Sequence, residues 1–332
     1  MTEIGVAIVG AGLFAETHMA AYADMDNARV VAVVDVDARR ATAAARLAGG
    51  VPWSTSIASL LERDDVDAVD ICTPNFTHAE LAIKVLQAGK HVLVEKPPAL
   101  SLVDFDSMTA AADASGATLT VGLVLRHTPW ARGLRAHIDD GVVGSPRVVR
   151  LSLQSGVIWP GGIRAWQRNR ALSGGHVVHN GMHLIDLANW FLGETPVEVM
   201  ARGFRVGPSV DDHWTLTIRY ANDAVAVIEY SYTLPNPSAL IVEAMVLGEA
   251  GISRFSSLDS PIAHTAHGDR PLFDFRGDSM SRELEEFVLS VQTGRAHGVE
   301  HAIVRSALAT ALKGQQSIDD GQPHLVEGVN HV

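Results

Sequence analysis

Between residue 1 and about residue 122, short β-branched runs alternate with stretches of helical spacing, and this alternation constrains the fold more than any other feature. The runs are Ile4–Val9, Val30–Val34, Ala68–Ile71, His91–Val94 and Thr118–Val121, separated by Ala- and Leu-rich segments such as Ala79–Ala88 and Val103–Ala114. Apolar runs without polar alternation suit strands covered on both faces, and helices between them imply parallel crossovers. Ser101 with Asp104 makes a start signal for the helix after the fourth strand. Residues 1–122 are therefore expected to form a doubly wound α/β domain.

Beyond residue 122 the pattern changes. Val148–Leu153, Val197–Arg202, Thr215–Tyr220, Val225–Ser231 and Ala244–Leu247 follow one another with few helices between them. Such succession favours an open, mostly antiparallel sheet, so residues 123–332 are expected to form an α+β domain. Helical spacing recurs over Gly175–Leu192, Arg282–Val291 and Ile303–Gln315, and Ser256–Phe275 reads as a loop excursion.

The first run leads into Gly10-Ala11-Gly12-Leu13-Phe14-Ala15. A Gly-x-Gly turn between strand and helix lets backbone amides and the helix dipole meet a pyrophosphate. Asp35 closes the second run about 20 residues further on, where an acid accepts the ribose hydroxyls. A 2′-phosphate would meet like charge there, so NAD is favoured over NADP, although Arg39 and Arg40 stand close by in sequence.

Two more stretches narrow the reading: Thr73-Pro74-Asn75-Phe76-Thr77-His78, and Ala88-Gly89-Lys90-His91-Val92-Leu93-Val94-Glu95-Lys96-Pro97. With the glycine turn they closely resemble the Gfo/Idh/MocA oxidoreductases, which include inositol dehydrogenases, glucose–fructose oxidoreductase and many sugar dehydrogenases. The likeness runs on through Gly122, Arg126 and Pro129 to the Gly174–Asp186 segment. It implies a nucleotide-binding domain, a second α/β domain, and a homodimer or homotetramer formed through that domain's sheet. It also implies that Gly10, Gly12, Leu13, Phe14, Asp35, Thr73, Pro74, Asn75 and His78 line the cofactor, with Glu95 and Lys96 near the nicotinamide.

Oxidising a carbinol needs a proton acceptor as hydride leaves carbon. Lys96 is the candidate to polarise the hydroxyl or take its proton, provided burial or nearby positive charge lowers its pKa. His176, His179, His183 and Asp186 are spaced to share one stripe of a helix. The family presents Asp-x-x-x-His on this helix; His183 matches the histidine, while His179 stands where the acid is usual. His183 is expected to hydrogen-bond the reacting hydroxyl and His179 to relay or orient, with Lys96 and His183 meeting beside the coenzyme ring. A metal reading of the three histidines is weaker, and none is expected. Trp159, Arg164, Trp166, Arg168, Asn169, Arg126 and His127 are candidates for recognising a polyol, through aromatic faces and hydrogen-bond donors.

Charge narrows the partners: 26 Lys and Arg against 38 Asp and Glu leave a net −12, which repels phosphate backbones and anionic membranes. Neither nucleic acid nor a membrane is an expected partner. The single cysteine, Cys72, and the absence of a basic leader suggest a cytoplasmic protein. The sequence is thus expected to encode an NAD-dependent dehydrogenase of a sugar, cyclitol or glycoside hydroxyl, or a reductase of the ketone. A redox-neutral glycosidase or lyase that keeps its NAD, and a non-catalytic NAD-binding regulator, are the alternatives.

Overall fold

A computed structural model of the chain describes residues 3–157, 162–205, 211–235, 240–259, 262–265, 268–271, 277–295 and 298–326. The chain divides into two units: Met1–Val124 with Arg276–His301, and Leu125–Phe275 with Ala302–Val332.

In the first unit the unalternating apolar runs are strands: β1 (Ile4–Val9), β2 (Ala28–Val34), β3 (Trp53–Ser54), β4 (Ala68–Ile71), β5 (His91–Glu95) and β6 (Leu119–Gly122). All neighbours are parallel, in the order β3-β2-β1-β4-β5-β6. This is the doubly wound dinucleotide-binding order, whose reversal between β1 and β4 opens a crevice at the carboxyl ends of the strands. Every residue of β1 and β4 is buried, as strands covered on both faces must be. The two-residue β3 is too short to register in the sequence.

Helix Gly277–Thr293 also belongs to this unit, which departs from a division at residue 122. Met280, Leu284, Phe287 and Val288 form one apolar stripe and are buried with Ile4, Val6 and Ile8 of β1 and with Met19 and Tyr22 of helix Leu13–Ala23. The stripe is legible in the sequence, but its partner is not, because it lies more than 250 residues away in the chain.

The second unit is built on a seven-stranded sheet. Its long strands are β7 (Pro146–Gln154), β8 (Pro196–Phe204), β9 (His213–Tyr220), β10 (Val225–Ser231), β11 (Ile241–Gly248) and β12 (Ile252–Ser256). A hairpin of β13 (Ile262–Thr265) and β14 (Gly268–Pro271) occupies part of the expected loop excursion, and β15 (His324–Leu325) completes the sheet order β12-β11-β7-β10-β9-β8-β15. Only β7 and β10 are parallel; the other pairs are antiparallel. In β9, Trp214, Leu216, Ile218 and Tyr220 are buried while Thr215, Thr217 and Arg219 are exposed, so one face is core and the other open. Helix Met182–Leu192 packs on the covered face against β7 and β10. Helix His301–Asp320 joins it there, with Gly314 facing Leu216 where even a methyl group would crowd it.

Candidate active site

The glycine turn has two positions with different demands. Gly10 has φ +95, and a Cβ there would come within 2.7 Å of the Cys72 carbonyl oxygen, so only glycine suits the close packing. A Cβ on Gly12 would meet nothing within 4 Å, which leaves open space directly before helix Leu13–Ala23. That is the approach a pyrophosphate needs at a helix N-terminus, and Gly12 caps the helix without a side chain of its own. Ala15 is fully buried, as the third small residue of the turn must be.

Asp35 is tied into the same turn. Its Oδ2 accepts a hydrogen bond from the Ala11 amide at 2.8 Å, and its Oδ1 accepts from the Asp37 amide at 2.8 Å and from Arg40 Nη2 at 2.9 Å. The carboxylate is thereby fixed at the carboxyl end of β2, and the residues present fit a nicotinamide dinucleotide in both the turn and the acid. Arg40, with more than half its side chain in solvent, spends its charge on Asp35.

The Thr73–His78 loop and the Glu95–Pro97 segment are stapled together by His78. Its Nε2 lies 2.7 Å from the Thr73 carbonyl oxygen and its Nδ1 2.8 Å from that of Pro97. Burial holds this imidazole below its ordinary pKa. His78 therefore shapes the cofactor loop from behind, and Asn75 is likewise buried at its start.

At the end of β5, Lys96 is buried and the Lys96–Pro97 peptide is cis. Burial strips the ammonium of its solvation and Glu95 opposes only part of that, so the Lys96 pKa is lowered to about 8. Glu95 accepts a hydrogen bond from the Lys96 amide at 3.1 Å and stands 3.3 Å from His18 Nε2. Burial pushes the Glu95 pKa up, but His18, Lys96 and His78 together hold it below the usual carboxylate range. His18 and Asp70, fully buried partners at 2.7 Å, escaped the sequence reading. An aspartate inside the apolar run Ala68–Ile71 was the available signal, because a buried charge demands a partner.

In the second unit the expected helix over Gly175–Leu192 has a π-helical turn at Val177–Gly181 followed by α-helix Met182–Leu192. The wider turn breaks the 3.6-residue register, and the four stripe residues have separate surroundings. His176 is buried, stacks on Tyr232 with ring centroids 4.7 Å apart, and lies 2.6 Å by its Nδ1 from the Asp211 carbonyl oxygen. His179 is half-buried, with Trp166 edge-on at 5.4 Å and the Gln167 amide nitrogen 3.2 Å from its Nε2. His183 is half-buried one turn further on.

Asp186 accepts both hydrogen bonds of a bidentate pair with Arg126, each at 2.7 Å. The guanidinium also lies 5.1 Å from the Trp190 ring centroid. Arg126 thereby anchors helix Met182–Leu192. Arg164 is exposed, and Gln167 links back to the Arg164 amide at 2.7 Å; His127 is half-buried. Arg168 and Asn169 are exposed, and Trp159 lies outside the described residues. Among the described residues, the only three metal-capable side chains within 4.8 Å of one another are His18, Asp70 and Cys72. Those three already satisfy one another: Cys72 Sγ donates to Asp70 Oδ1 at 3.3 Å, and burial with Asp70 nearby pushes the thiol up to about 12.

A doubly wound sheet with a glycine turn, an acid closing β2 and a tuned lysine closing β5 defines a nicotinamide-dependent oxidoreductase. Family models agree: the oxidoreductase family with an NAD-binding Rossmann fold matches residues 4–123, and the GFO/IDH/MocA C-terminal domain matches residues 131–254. The chain belongs to the Gfo/Idh/MocA oxidoreductase family. Myo-inositol 2-dehydrogenase of Thermotoga maritima is 26% identical over 98% of this chain and 99% of its own. The 2,7-anhydro-N-acetylneuraminate hydratase of Mediterraneibacter gnavus is 29% identical over 78% of this chain and 69% of its own. The crystal structure of GenD2 from gentamicin A biosynthesis, in complex with NAD, superposes with a TM-score of 0.89 at 25% identity, covering 99% of this chain and 97% of that one.

Proposed function

We propose that the protein oxidises a secondary hydroxyl of a sugar or cyclitol with NAD, or reduces the corresponding ketone. The buried Lys96 amine, poised near pKa 8 at the carboxyl end of β5, carries this reading. NAD supplies the hydride acceptor when bound. Lys96 takes the hydroxyl proton, His183 hydrogen-bonds the same hydroxyl, and His179, backed by Gln167 and Trp166, orients it. The Asp35 carboxylate, fixed at the carboxyl end of β2, sets a negative charge where a 2′-phosphate would lie and so favours NAD over NADP. The polyol dehydrogenase among the relatives supports the substrate class.

The open face of the second sheet, where Thr217, Val227 and Leu247 are exposed, suits pairing with another copy of the chain as a homodimer or homotetramer. One cysteine among 332 residues suits the cytoplasm, and no helix among the described residues is long and apolar enough to cross a membrane. The test is a polyol and aldose panel followed by reduced-nicotinamide absorbance, with NAD and NADP run in parallel. Turnover with NAD that falls sharply in Lys96→Met and His183→Ala is expected; near-native rates in either variant reject that residue's role. The hydratase relative favours one second reading, a redox-neutral reaction on retained NAD, which would change the substrate without net NADH release.

A further inference from the structure

Beneath the Glu95–Lys96 pair lies a buried group of titratable side chains that proton removal from substrate does not itself require. His18, on helix Leu13–Ala23, lies between two carboxylates: its Nδ1 meets Asp70 Oδ2 at 2.7 Å, and its Nε2 stands at ion-pair distance, 3.3 Å, from Glu95 Oε1 without a hydrogen bond. Tyr22 and Cys72 border the Asp70 end, and both have pKa values raised by burial and by that carboxylate. From helix Gly277–Thr293, Glu283 enters the same group, fully buried, with neither carboxyl oxygen hydrogen-bonded. Glu286 of that helix adds a further negative charge that raises the Glu283 pKa, and His78 acts to lower that of Glu95.

We propose that His18 is a positioning residue: held as an imidazolium between Asp70 and Glu95, it keeps Glu95 ionised and thereby sets the protonation of the Lys96 amine. Its catalytic meaning rests on Lys96 being the base of the proposed function; the coupling itself does not. Two acids, Glu95 and Glu283, compete here for the stabilisation that one imidazolium can give. Glu95 has the His18 contact and the Lys96 amide at 3.1 Å, whereas Glu283 has no hydrogen bond, so Glu95 is the anion and Glu283 stays a neutral acid. The directions agree. Burial would lower the His18 pKa, but Asp70 lifts it well above the ordinary value, while burial and the Glu95 charge raise Glu283. Without the imidazolium, Glu95 has one fewer positive neighbour in a buried site and takes up a proton. Lys96 then loses the support that the Glu95 carboxylate gives its ammonium form.

The chain has four lysines, Lys84, Lys90, Lys96 and Lys313, so full-length protein labelled with 13C at lysine Cε gives few enough resonances to titrate singly. Lys96→Arg assigns the signal. Lys96 is expected to titrate at about 8 in the unaltered protein. In His18→Gln and in Glu95→Gln it is expected about one unit lower or more, and the double variant should shift no further than Glu95→Gln alone. A Lys96 midpoint unmoved in folded His18→Gln, or shifts that add in the double variant, overturns the proposal. If His18→Gln fails to fold, Asp70→Asn removes the charge that holds the imidazolium and should move Lys96 in the same direction; an unmoved midpoint there is equally decisive. NADH formation from myo-inositol as probe, measured over the same pH range, separates the two readings. A resonance that shifts without a matching shift in the rate profile refutes Lys96 as base and leaves the coupling standing.

Discussion

Lys96 and Asp35 are ordinary residue types that acquire their chemistry from two or three neighbours. For Lys96, burial removes water, Glu95 returns part of the lost stabilisation, and the balance lies at about 8. Only the unprotonated amine accepts a proton, so kcat/KM for oxidation should rise as pH increases toward 8 and level off above it, with the reverse trend for ketone reduction. A rate independent of pH across that midpoint would show that another group takes the proton. Lys96→Met should lower kcat by roughly 10²–10⁴-fold while NAD affinity changes only a few-fold, as calorimetry with NAD would show. For Asp35, the Ala11 and Asp37 amides and Arg40 fix one carboxylate in one orientation. Asp35→Ala should weaken NAD by about 10-fold or more through loss of charged hydrogen bonds, and weaken NADP less. Equal losses for the two cofactors would mean that Asp35 supports the loop and does not select.

At the scale of elements, the longer strands and the capping of helix Leu102–Ser115 were readable because each depends on adjacent residues, whereas the short β3 and β15 and the edge strand β12 were not. Ser101 Oγ accepts from the Asp104 amide at 3.1 Å and donates to Asp104 Oδ2 at 2.7 Å, as a local start signal should. The glycine turn and Asp35 stood out by their places at strand ends, whereas Glu95 and Lys96, which lie at the carboxyl end of β5, were singled out by the family resemblance. What escaped depends on distant residues. The apolar stripe of helix Gly277–Thr293 does not say which sheet it covers, and the π-helical turn at Val177–Gly181 leaves no mark in apolar spacing that also fits an α-helix. Its surroundings come from distant residues: a Cβ on Gly181 would come within 2.9 Å of the Trp214 ring, and the Val177 amide donates to Gln315 Oε1 at 3.2 Å from another helix. Asp186 has the same lesson, since its partner Arg126 lies 60 residues away. The stripe makes a quantitative claim. Phe287→Ala empties a fully buried site against β1 and should cost about 3–5 kcal/mol in denaturant unfolding of the full chain. A loss below about 1 kcal/mol would indicate that the site collapses freely or is not core.

On the scale of the whole chain, the order of residues and the order of cores do not coincide. The nucleotide-binding unit begins at Met1, leaves at Val124 and is finished by Arg276–His301, after strands β7 to β12 of the second unit's sheet but before β15. Helix Gly277–Thr293 is not an ornament of that unit: it supplies Met280, Leu284, Phe287 and Val288 to the cluster that covers β1, and Glu283 to the buried charge group under Glu95. His301 adds a further tie, its Nε2 lying 2.9 Å from the Leu119 carbonyl oxygen of β6. A fragment of residues 1–124 therefore exposes one apolar flank of its sheet and lacks part of the surroundings that tune Lys96, although it holds every cofactor motif. It should aggregate or unfold without a cooperative transition, and bind NAD weakly or not at all in calorimetry. Joining residues 276–301 to residue 124 through a short Gly/Ser linker restores the missing flank at a modest loop-closure cost, and should recover both a cooperative thermal transition and NAD binding. A stable, NAD-binding 1–124 fragment would show instead that the motifs and their six strands suffice, and that the returning helix belongs to the nucleotide-binding unit in space but not in energy.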